Sequence, residues 1–346
     1  MNKKHKVIGM FSGGLDSILA TKIMHDEGFD VTVLHFYNGF NGKLGREIQN
    51  DPGWKWTPSE AVANAAEKLG VRIVGIDVKD EFIDLINNPK HNYGTAINPC
   101  IDCRIFLLNK AYEYMKKENA ILIFTGEVMG QRPMSQHKQA MQTVAKNSGF
   151  EGRLLRPLSA KLLEPTITET EGIVNREHLY GFSGRSRKPQ QELAKKYGID
   201  FYPQPGGGCI LTEKSFARRY HDLVSHSPNS GLSLDELNSL KAGRHLRLKS
   251  GIKVIVGRDE NENNHLEKLI DGKCWVFDVT GVPCAMVFAF GEPSDEDLGI
   301  VASITGRYSK GLHEDLLTVT ATKGDVTKEF SVRPAAPGYI EPFLIK

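Results

Sequence analysis

Three of the five cysteines lie in settings that favour chemistry over packing. Cys100 and Cys103 form a C-x-x-C pair within residues 98–104, and Cys209 follows a run of three glycines. Such a pair suits a redox dithiol, half of a zinc site or part of an iron–sulfur ligand set. Three cysteines with an open fourth position suit a [4Fe–4S] cluster or a catalytic zinc. Cys274 and Cys284 look like interior strand residues and are expected to pack.

A second candidate site is the segment S-G-G-L-D-S at residues 12–17, which interrupts an apolar stretch. Gly13 and Gly14 leave backbone N–H groups free to approach an anion, and a helix that begins here adds the positive end of its dipole. The Ser17 hydroxyl adds a donor. The segment matches neither G-x-x-x-x-G-K-[ST] nor G-x-G-x-x-G. A tight turn with a serine capping the helix is the alternative.

Alternating strand-like and helix-like runs over residues 6–126 must position both sites. This alternation predicts a doubly wound parallel sheet covered by helices, which binds ligands beyond the carboxyl ends of its strands. The loop at residues 12–17 follows the first strand and so lies at that edge. The predicted strands are residues 7–11, 31–36, 71–78 and 120–124, and the predicted helices are residues 18–24, 58–69 and 103–117.

The pattern changes along the rest of the chain. Residues 168–176 and 190–197 look helical, and a linker-like stretch covers residues 225–231. Short alternating runs beyond it predict a smaller α+β domain. We therefore predict an α/β domain over residues 1–165, an extension with the third cysteine and a basic loop over residues 166–230, and the α+β domain over residues 231–346.

The bulk composition narrows the function classes. The 346 residues carry a formal net charge of +2, with 40% hydrophobic and 25% charged residues. A polycation is therefore excluded, and nucleic-acid contacts would come from local basic patches. No apolar run approaches the roughly 20 residues that span a bilayer. The short apolar run after the basic start ends at Ser12, so we expect a cytoplasmic protein without membrane association.

Residues 12–17 resemble the pyrophosphate-binding loop of the ATP pyrophosphatase (PP-loop) superfamily, which has the adenosine nucleotide hydrolase-like fold. The resemblance implies ATP as substrate, with Ser12, Gly13, Gly14, Asp16 and Ser17 at its phosphates. Asp16 would also help to place Mg²⁺. His35 and Phe36, at the end of the second strand, would lie near adenine. Thr125 and Gly126, at the end of the fourth, would line the nucleotide pocket.

The cysteine segments resemble those of tRNA thiolation enzymes, the 2-thiouridylases and 4-thiouridine synthetases. Residues 98–108 read N-P-C-x-x-C-R-x-x-x-L, and residues 125–136 resemble the T-G-E-x-x-G-Q-x-x-S-Q stretch of the synthetases, with one extra residue after Gln131. Residues 156–158 and 205–211 resemble later segments of the family. The resemblance implies that Cys103 and Cys209 are catalytic and that Gln131 binds the nucleotide.

Cys100 separates two branches of this superfamily. The best-known 2-thiouridylases have aspartate at this position, whereas three-cysteine members depend on a cluster. The resemblance therefore implies a [4Fe–4S] cluster held by Cys100, Cys103 and Cys209. It also implies tRNA as partner, and sulfide or the persulfide of a cysteine desulfurase as sulfur donor.

Residues 252–338 resemble the NFACT-R type of RNA-binding domain, through V-G-R at residues 256–258 and a late Pro337-Gly338. Arg258 could contact a phosphate or a base edge, together with Lys323, Lys328 and Arg333. The basic residues 185–188 could grip RNA as well, and solvated surface charge is the alternative for all of them.

These features together predict ATP-dependent tRNA thiolation, in which a uridine carbonyl oxygen is adenylated and then replaced by sulfur. One alternative is a PP-loop enzyme that adenylates a non-RNA substrate. Another is an RNA- or ribosome-binding protein with a non-catalytic nucleotide domain.

Overall fold

The computed structural model describes residues 4–40, 59–203, 208–227, 232–269, 272 and 274–346. Their contacts divide the chain into two compact units. The first unit ends at Cys209 and the second begins at Ile210. No helix in these described ranges is long and apolar enough to cross a membrane.

A five-stranded parallel sheet organises the first unit, with strand order β3-β2-β1-β4-β5. Strand β1 is central, and Val7 pairs with Val31 on one side and Leu122 on the other. The loop after β1 therefore lies in the middle of the carboxyl edge. This confirms the predicted α/β class. The strands are β1 Lys6–Met10, β2 Asp30–Tyr37, β3 Arg72–Asp77, β4 Leu122–Thr125 and β5 Leu154–Leu155.

Helices cover both faces of this sheet because successive strand side chains point to opposite sides. Val7 packs into a core with Ile18 and Leu193, whereas its neighbour Ile8 packs into a second core with Leu108 and Val144. Helices α1 and α7 thus lie on one face, and α4 and α5 on the other. The helices are α1 Leu15–Asp26, α2 Glu60–Lys68, α3 Lys79–Asn87, α4 Cys100–Glu118, α5 Lys138–Asn147, α6 Ile167–Thr170 and α7 Lys188–Lys196.

The helix predicted over residues 168–176 is not continuous. Helix α6 ends at Thr170, and residues 176–178 form a separate 3₁₀ turn. Gly172, between the two, has φ +69°. This left-handed conformation ends a helix and suits glycine, which has no Cβ.

A six-stranded antiparallel sheet forms the second unit, in the order β11-β10-β8-β9-β7-β6. Helix α11 packs on it through Leu298 and Val301, against Val254 and Val319 of the strands. This confirms the predicted α+β class. The strands are β6 Arg244–Arg247, β7 Lys253–Val256, β8 Trp275–Val279, β9 Val287–Phe290, β10 Leu317–Lys323 and β11 Val326–Val332, and the helices are α8 Lys214–His226, α9 Leu234–Ser239, α10 Glu260–Leu269, α11 Asp295–Arg307 and α12 Pro337–Ile340.

Candidate functional site

The loop between β1 and α1 has the backbone geometry of an anion cradle. Gly13 has φ +73°, and a Cβ there would come within 2.7 Å of the Val62 side chain. Gly14 precedes the first turn of α1 in an extended conformation, and no described side chain caps that turn. Ser17 instead donates from its Oγ to the Gly14 carbonyl at 2.8 Å. The first N–H groups of α1 are therefore available to a ligand.

Asp16 lies in the first turn of α1, where Gln131 reaches it from the loop after β4. Gln131 Nε2 donates to Asp16 Oδ2 at 3.0 Å. The other oxygen, Oδ1, is buried and has no partner among the described residues. Burial raises the pKa of Asp16, although the hydrogen bond from Gln131 and the charges of Arg187 and Arg132 oppose the rise. An unpaired, buried carboxylate oxygen here can ligate a cation or accept from its hydration water.

Gly126 lets the end of β4 approach the loop between β1 and α1, residues 12–17, which we call the phosphate loop after its predicted ligand. A Cβ at this position would lie 2.6 Å from the backbone of Asp16 and Ser17. Backbone cannot move aside as a flexible side chain can, so the contact requires glycine. The structure thereby places Gly126, Asp16, Ser17 and Gln131 together.

His35 and Phe36 end β2, next to the same edge. His35 Nδ1 lies 2.8 Å from the Phe11 carbonyl oxygen, and burial lowers the pKa of His35. The ring is therefore neutral at pH 7, with its proton on Nδ1. The Phe36 side chain points into the core beside Ile8 and Ile76. If this segment contacts adenine, Phe36 does so through its backbone.

A buried ion-pair network that the sequence patterns did not reveal supports the loop after β4. Arg156 Nε donates to Glu127 Oε2 at 2.9 Å, and Arg104 Nε lies 3.6 Å from Glu127 Oε1. Burial disfavours the charged form of Glu127, but the charges of Arg156 and Arg104 outweigh it and lower the pKa of this carboxyl. Since Arg104 follows Cys103 directly, the network joins the cysteine segment to the loop after β4.

The C-x-x-C pair occupies the first turn of α4. Asn98 donates from Nδ2 to Cys100 Sγ at 3.2 Å. Burial raises the pKa of Cys103 to about 12, while Arg104 and Arg132 lower it and charges on Cys209 and Cys100 would raise it. The three cysteines are thus electrostatic neighbours, and Cys103 is a neutral thiol at pH 7. Residues 204–207, in the segment preceding Cys209, lie outside the described residues.

The expected [4Fe–4S] cluster finds no support in this arrangement. Within the described ranges, no three His, Cys, Asp or Glu side chains are grouped so that they could hold a metal ion. The ligand set predicted from Cys100, Cys103 and Cys209 is therefore not supported by the arrangement. Of the remaining cysteines, Cys274 is buried as expected, but Cys284 is half-buried and donates from Sγ to Asp278 at 3.1 Å.

Asp102, inside the C-x-x-C pair, anchors this segment in a way that the spacing did not indicate. Its carboxylate accepts from the backbone N–H of His91 at 2.9 Å and lies 2.6 Å from His91 Nδ1. A polar residue between two cysteines was the only signal for this contact.

Of the four cations expected to contact RNA in the second unit, Arg258, Lys323 and Lys328 have acidic partners. Arg258 Nε donates to Glu262 at 2.8 Å, and Lys323 Nζ donates to Glu292 at 2.9 Å. Lys328 lies 5.6 Å from the centre of the Trp275 ring and also pairs with Asp295. To bind an RNA phosphate, each of these cations would have to leave its acidic partner.

Two protein families match separate parts of the chain. Residues 5–149 match the tRNA methyl transferase HUP domain, and residues 243–344 match the NFACT protein RNA binding domain. The first match covers the phosphate loop and the C-x-x-C pair, and the second lies within the antiparallel unit.

Curated relatives share low identity over long stretches. The tRNA-specific 2-thiouridylase MnmA of Malacoplasma penetrans is 24% identical over 258 residues, which are 69% of this chain and 65% of that protein. The MnmA protein of Pediococcus pentosaceus is 22% identical over 76% of this chain and 71% of its own length. A solved 4-thiouridine synthetase in complex with RNA and ATP aligns with 56% of this chain and 51% of its own, at 16% identity and a TM-score of 0.34. Residues 5–149 are therefore similar to the tRNA methyl transferase HUP domain and residues 243–344 to the NFACT protein RNA binding domain, and the chain is distantly similar to tRNA-specific 2-thiouridylases.

Proposed function

We propose that this protein is an ATP-dependent tRNA sulfurtransferase that converts a uridine to thiouridine. The observation that carries the proposal is the loop after β4, which contacts both candidate sites. Gln131 Nε2 donates to Asp16 Oδ2 at 3.0 Å, and Arg104, the residue after Cys103, lies 3.6 Å from the Glu127 carboxylate. One loop therefore links the group expected at the nucleotide phosphates to the segment that carries the C-x-x-C pair.

The first half of the reaction activates the base. A uracil carbonyl oxygen attacks the α-phosphorus of ATP, and pyrophosphate leaves. The backbone N–H of Gly13 would hold the phosphates, and the Gly14 N–H and the Ser17 hydroxyl would join it by exchanging their bonds to Ser12 Oγ and to the Gly14 carbonyl for bonds to phosphate oxygens. The free oxygen of Asp16 would hold Mg²⁺, which neutralises charge on the phosphates. Adenylation is needed because a carbonyl oxygen is a poor leaving group, whereas AMP is a good one.

The second half introduces sulfur without a cluster. The terminal sulfur of a cysteine persulfide attacks the activated carbon, and AMP leaves. The persulfide is carried by one cysteine of the pair Cys103 and Cys209. The thiolate of the other cysteine then attacks the Sγ of the carrier, which frees the thiocarbonyl and leaves a Cys103–Cys209 disulfide for an external thiol to reduce. Arg104 and Arg132 favour the thiolate of Cys103 once the thiol is less deeply buried. With sulfide as donor, sulfide attacks directly and no disulfide forms.

The second unit supports tRNA as the substrate. Its match to an NFACT protein RNA binding domain, combined with relatives named as tRNA-specific 2-thiouridylases, favours RNA over a small molecule as the acceptor. The chain carries both halves of the requirement, an adenylating domain and an RNA-binding domain.

The two half-reactions can be separated in a reconstituted assay with tRNA, ATP and sulfide or a persulfide donor. We expect Asp16→Asn to abolish tRNA-dependent release of pyrophosphate, and Cys209→Ser to adenylate tRNA and release pyrophosphate but form no thiouridine with the persulfide donor. Cys284→Ser is the matched control and should behave as the wild type. Adenylation of a small molecule in place of tRNA, or full thiolation by Cys209→Ser with the persulfide donor, would contradict the proposal.

A further inference from the structure

We infer that Arg187 and Gln190 form a second wall of the nucleotide site and bind the β- and γ-phosphates of ATP, which leave as pyrophosphate. The inference rests on the proposed function, since it concerns the same adenylation site. It reassigns part of the basic loop at residues 185–188, whose charges alone suggest contact with RNA.

The loop before α7 is fixed against the loop after β4. Ser183 forms a bridge with Met129, and the Gly184 N–H donates to the Met129 carbonyl at 2.7 Å. Ser159 joins the same two segments, because it accepts from the Met129 N–H at 2.9 Å and donates to the Phe182 carbonyl at 2.7 Å. Residues 183–187 therefore lie beside the loop that carries Gln131.

This arrangement directs Arg187 and Gln190 towards Asp16. The charge of Arg187 acts on the Asp16 carboxyl, and the Gln190 amide lies near enough to that carboxyl to lower its pKa as a hydrogen-bond donor. Gln190 is 0% exposed; its amide oxygen has no hydrogen-bond partner among the described residues, and its amide nitrogen makes no close hydrogen bond there besides this contact with Asp16. Arg187 Nε is also buried without a partner in that part of the chain.

Buried polar groups of this kind call for a ligand, because leaving them unpaired costs free energy. The donors are Arg187 Nε and Gln190 Nε2, and the acceptors are Gln190 Oε1 and Asp16 Oδ1. Phosphate oxygens accept from such donors, and the water or cation that accompanies a polyphosphate suits the acceptors.

Two helix N-termini add positive electrostatic potential at the same place. Helix α1 begins beside Asp16, and α7 begins at Lys188, two residues before Gln190, with no side-chain cap among the described residues. Helix α7 packs on α1 through Leu193 in the shared core. The positive ends of both dipoles therefore face the region between Asp16 and Gln190, which favours a multiply charged anion.

The test is isothermal titration of the full chain, with Mg²⁺ and without RNA, by inorganic pyrophosphate, by AMP and by a non-hydrolysable ATP analogue. We expect Arg187→Gln to weaken binding of pyrophosphate and of the analogue about tenfold or more, and to leave AMP binding unchanged. Gln190→Leu should show the same selectivity. Arg185→Gln, from the exposed part of the same loop, should bind all three as the wild type does.

Unchanged pyrophosphate affinity of Arg187→Gln would overturn the inference, as would equal losses for AMP and pyrophosphate. A filter-binding assay of Arg187→Gln with tRNA tests the alternative that the loop at residues 185–188 binds RNA. Weaker tRNA binding with intact pyrophosphate binding would assign the loop to RNA instead. A protein that shows the selective loss but thiolates no tRNA would keep this inference and refute the proposed function. Matching circular dichroism and thermal unfolding of the variants confirm that they fold.

Discussion

At the scale of single residues, the site depends on buried charges. Burial raises the free energy of each charge, and a neighbouring opposite charge offsets that cost. Glu127 is 4% exposed and pairs with Arg156, which is 6% exposed. Removing one partner of such a pair leaves the other charge buried and uncompensated. Glu127 therefore stabilises the loop that carries Gln131 and Arg132.

Replacing Glu127 tests this network. We expect Glu127→Ala to lower the free energy of unfolding by about 3–5 kcal/mol at pH 7, measured by urea denaturation. Glu177→Ala is the control, because the Glu177 carboxylate is 87% exposed and pairs with Lys161 at 3.6 Å. Its effect should stay within about 0.5 kcal/mol. A cost below about 1 kcal/mol for Glu127→Ala would contradict the network.

The effect of Glu127→Ala on stability should depend on pH. The pKa of Glu127 is lower in the folded chain than its ordinary value. Its stabilisation is therefore fully present above the unfolded-state pKa of about 4.3 and is lost as the pH falls through the folded-state pKa. The stability difference between wild type and Glu127→Ala should shrink as the pH is lowered below about 4. A difference that stays constant would show that Glu127 acts by packing.

Cys103 supplies a residue-scale test of the resting site. With a pKa of about 12, its thiolate fraction grows tenfold per pH unit across the whole range from pH 7 to 10. Alkylation by iodoacetamide, localised by mass spectrometry, should follow that slope. A rate that levels off near the pKa of a free cysteine, about 8.5, would contradict the raised pKa of Cys103.

At the scale of elements, the site arises where the end of β4 and the start of α1 meet without side chains between them. Gly126→Ala would place a methyl group 2.6 Å from backbone atoms of Asp16 and Ser17. We expect Gly126→Ala to lower the free energy of unfolding by about 1–3 kcal/mol. We also expect it to reduce the rate of AMP formation by more than this loss of stability alone would, because the phosphate loop must shift. Gly181→Ala, whose Cβ would meet ordinary contacts of 3.5 Å or more, is the control. Normal AMP formation by Gly126→Ala would refute the close approach.

The helices and strands were easier to predict from the sequence than the side-chain contacts between them. Apolar periodicity located β1, β2 and α1 because local patterns determine which face of a strand or helix is buried. The pairing of Glu127 with Arg156 joins residues 29 positions apart, so it required knowledge of which strands are neighbours. Arg187 illustrates the same limit, since the basic stretch at residues 185–188 looks like solvated surface in the sequence, whereas the Arg187 Nε is buried in the fold.

At the scale of the whole molecule, each unit has its own hydrophobic core and its own family match. The net charge of +2 is small, so any affinity for RNA would depend on the distribution of basic residues rather than on total charge. The presence in one chain of a unit that matches a HUP domain and a unit that matches an RNA binding domain is what favours the proposed tRNA modification over the separate functions.

The central claim, that this chain thiolates tRNA, is tested most directly by mass spectrometry of tRNA nucleosides from cells that lack the gene. We predict that a thiouridine is depleted in these cells and is restored by the wild-type gene and by Cys284→Ser, but not by Cys103→Ser. The position of the sulfur in the depleted nucleoside would identify the carbonyl that is adenylated. An unchanged thiouridine content, or full restoration by Cys103→Ser, would contradict the account.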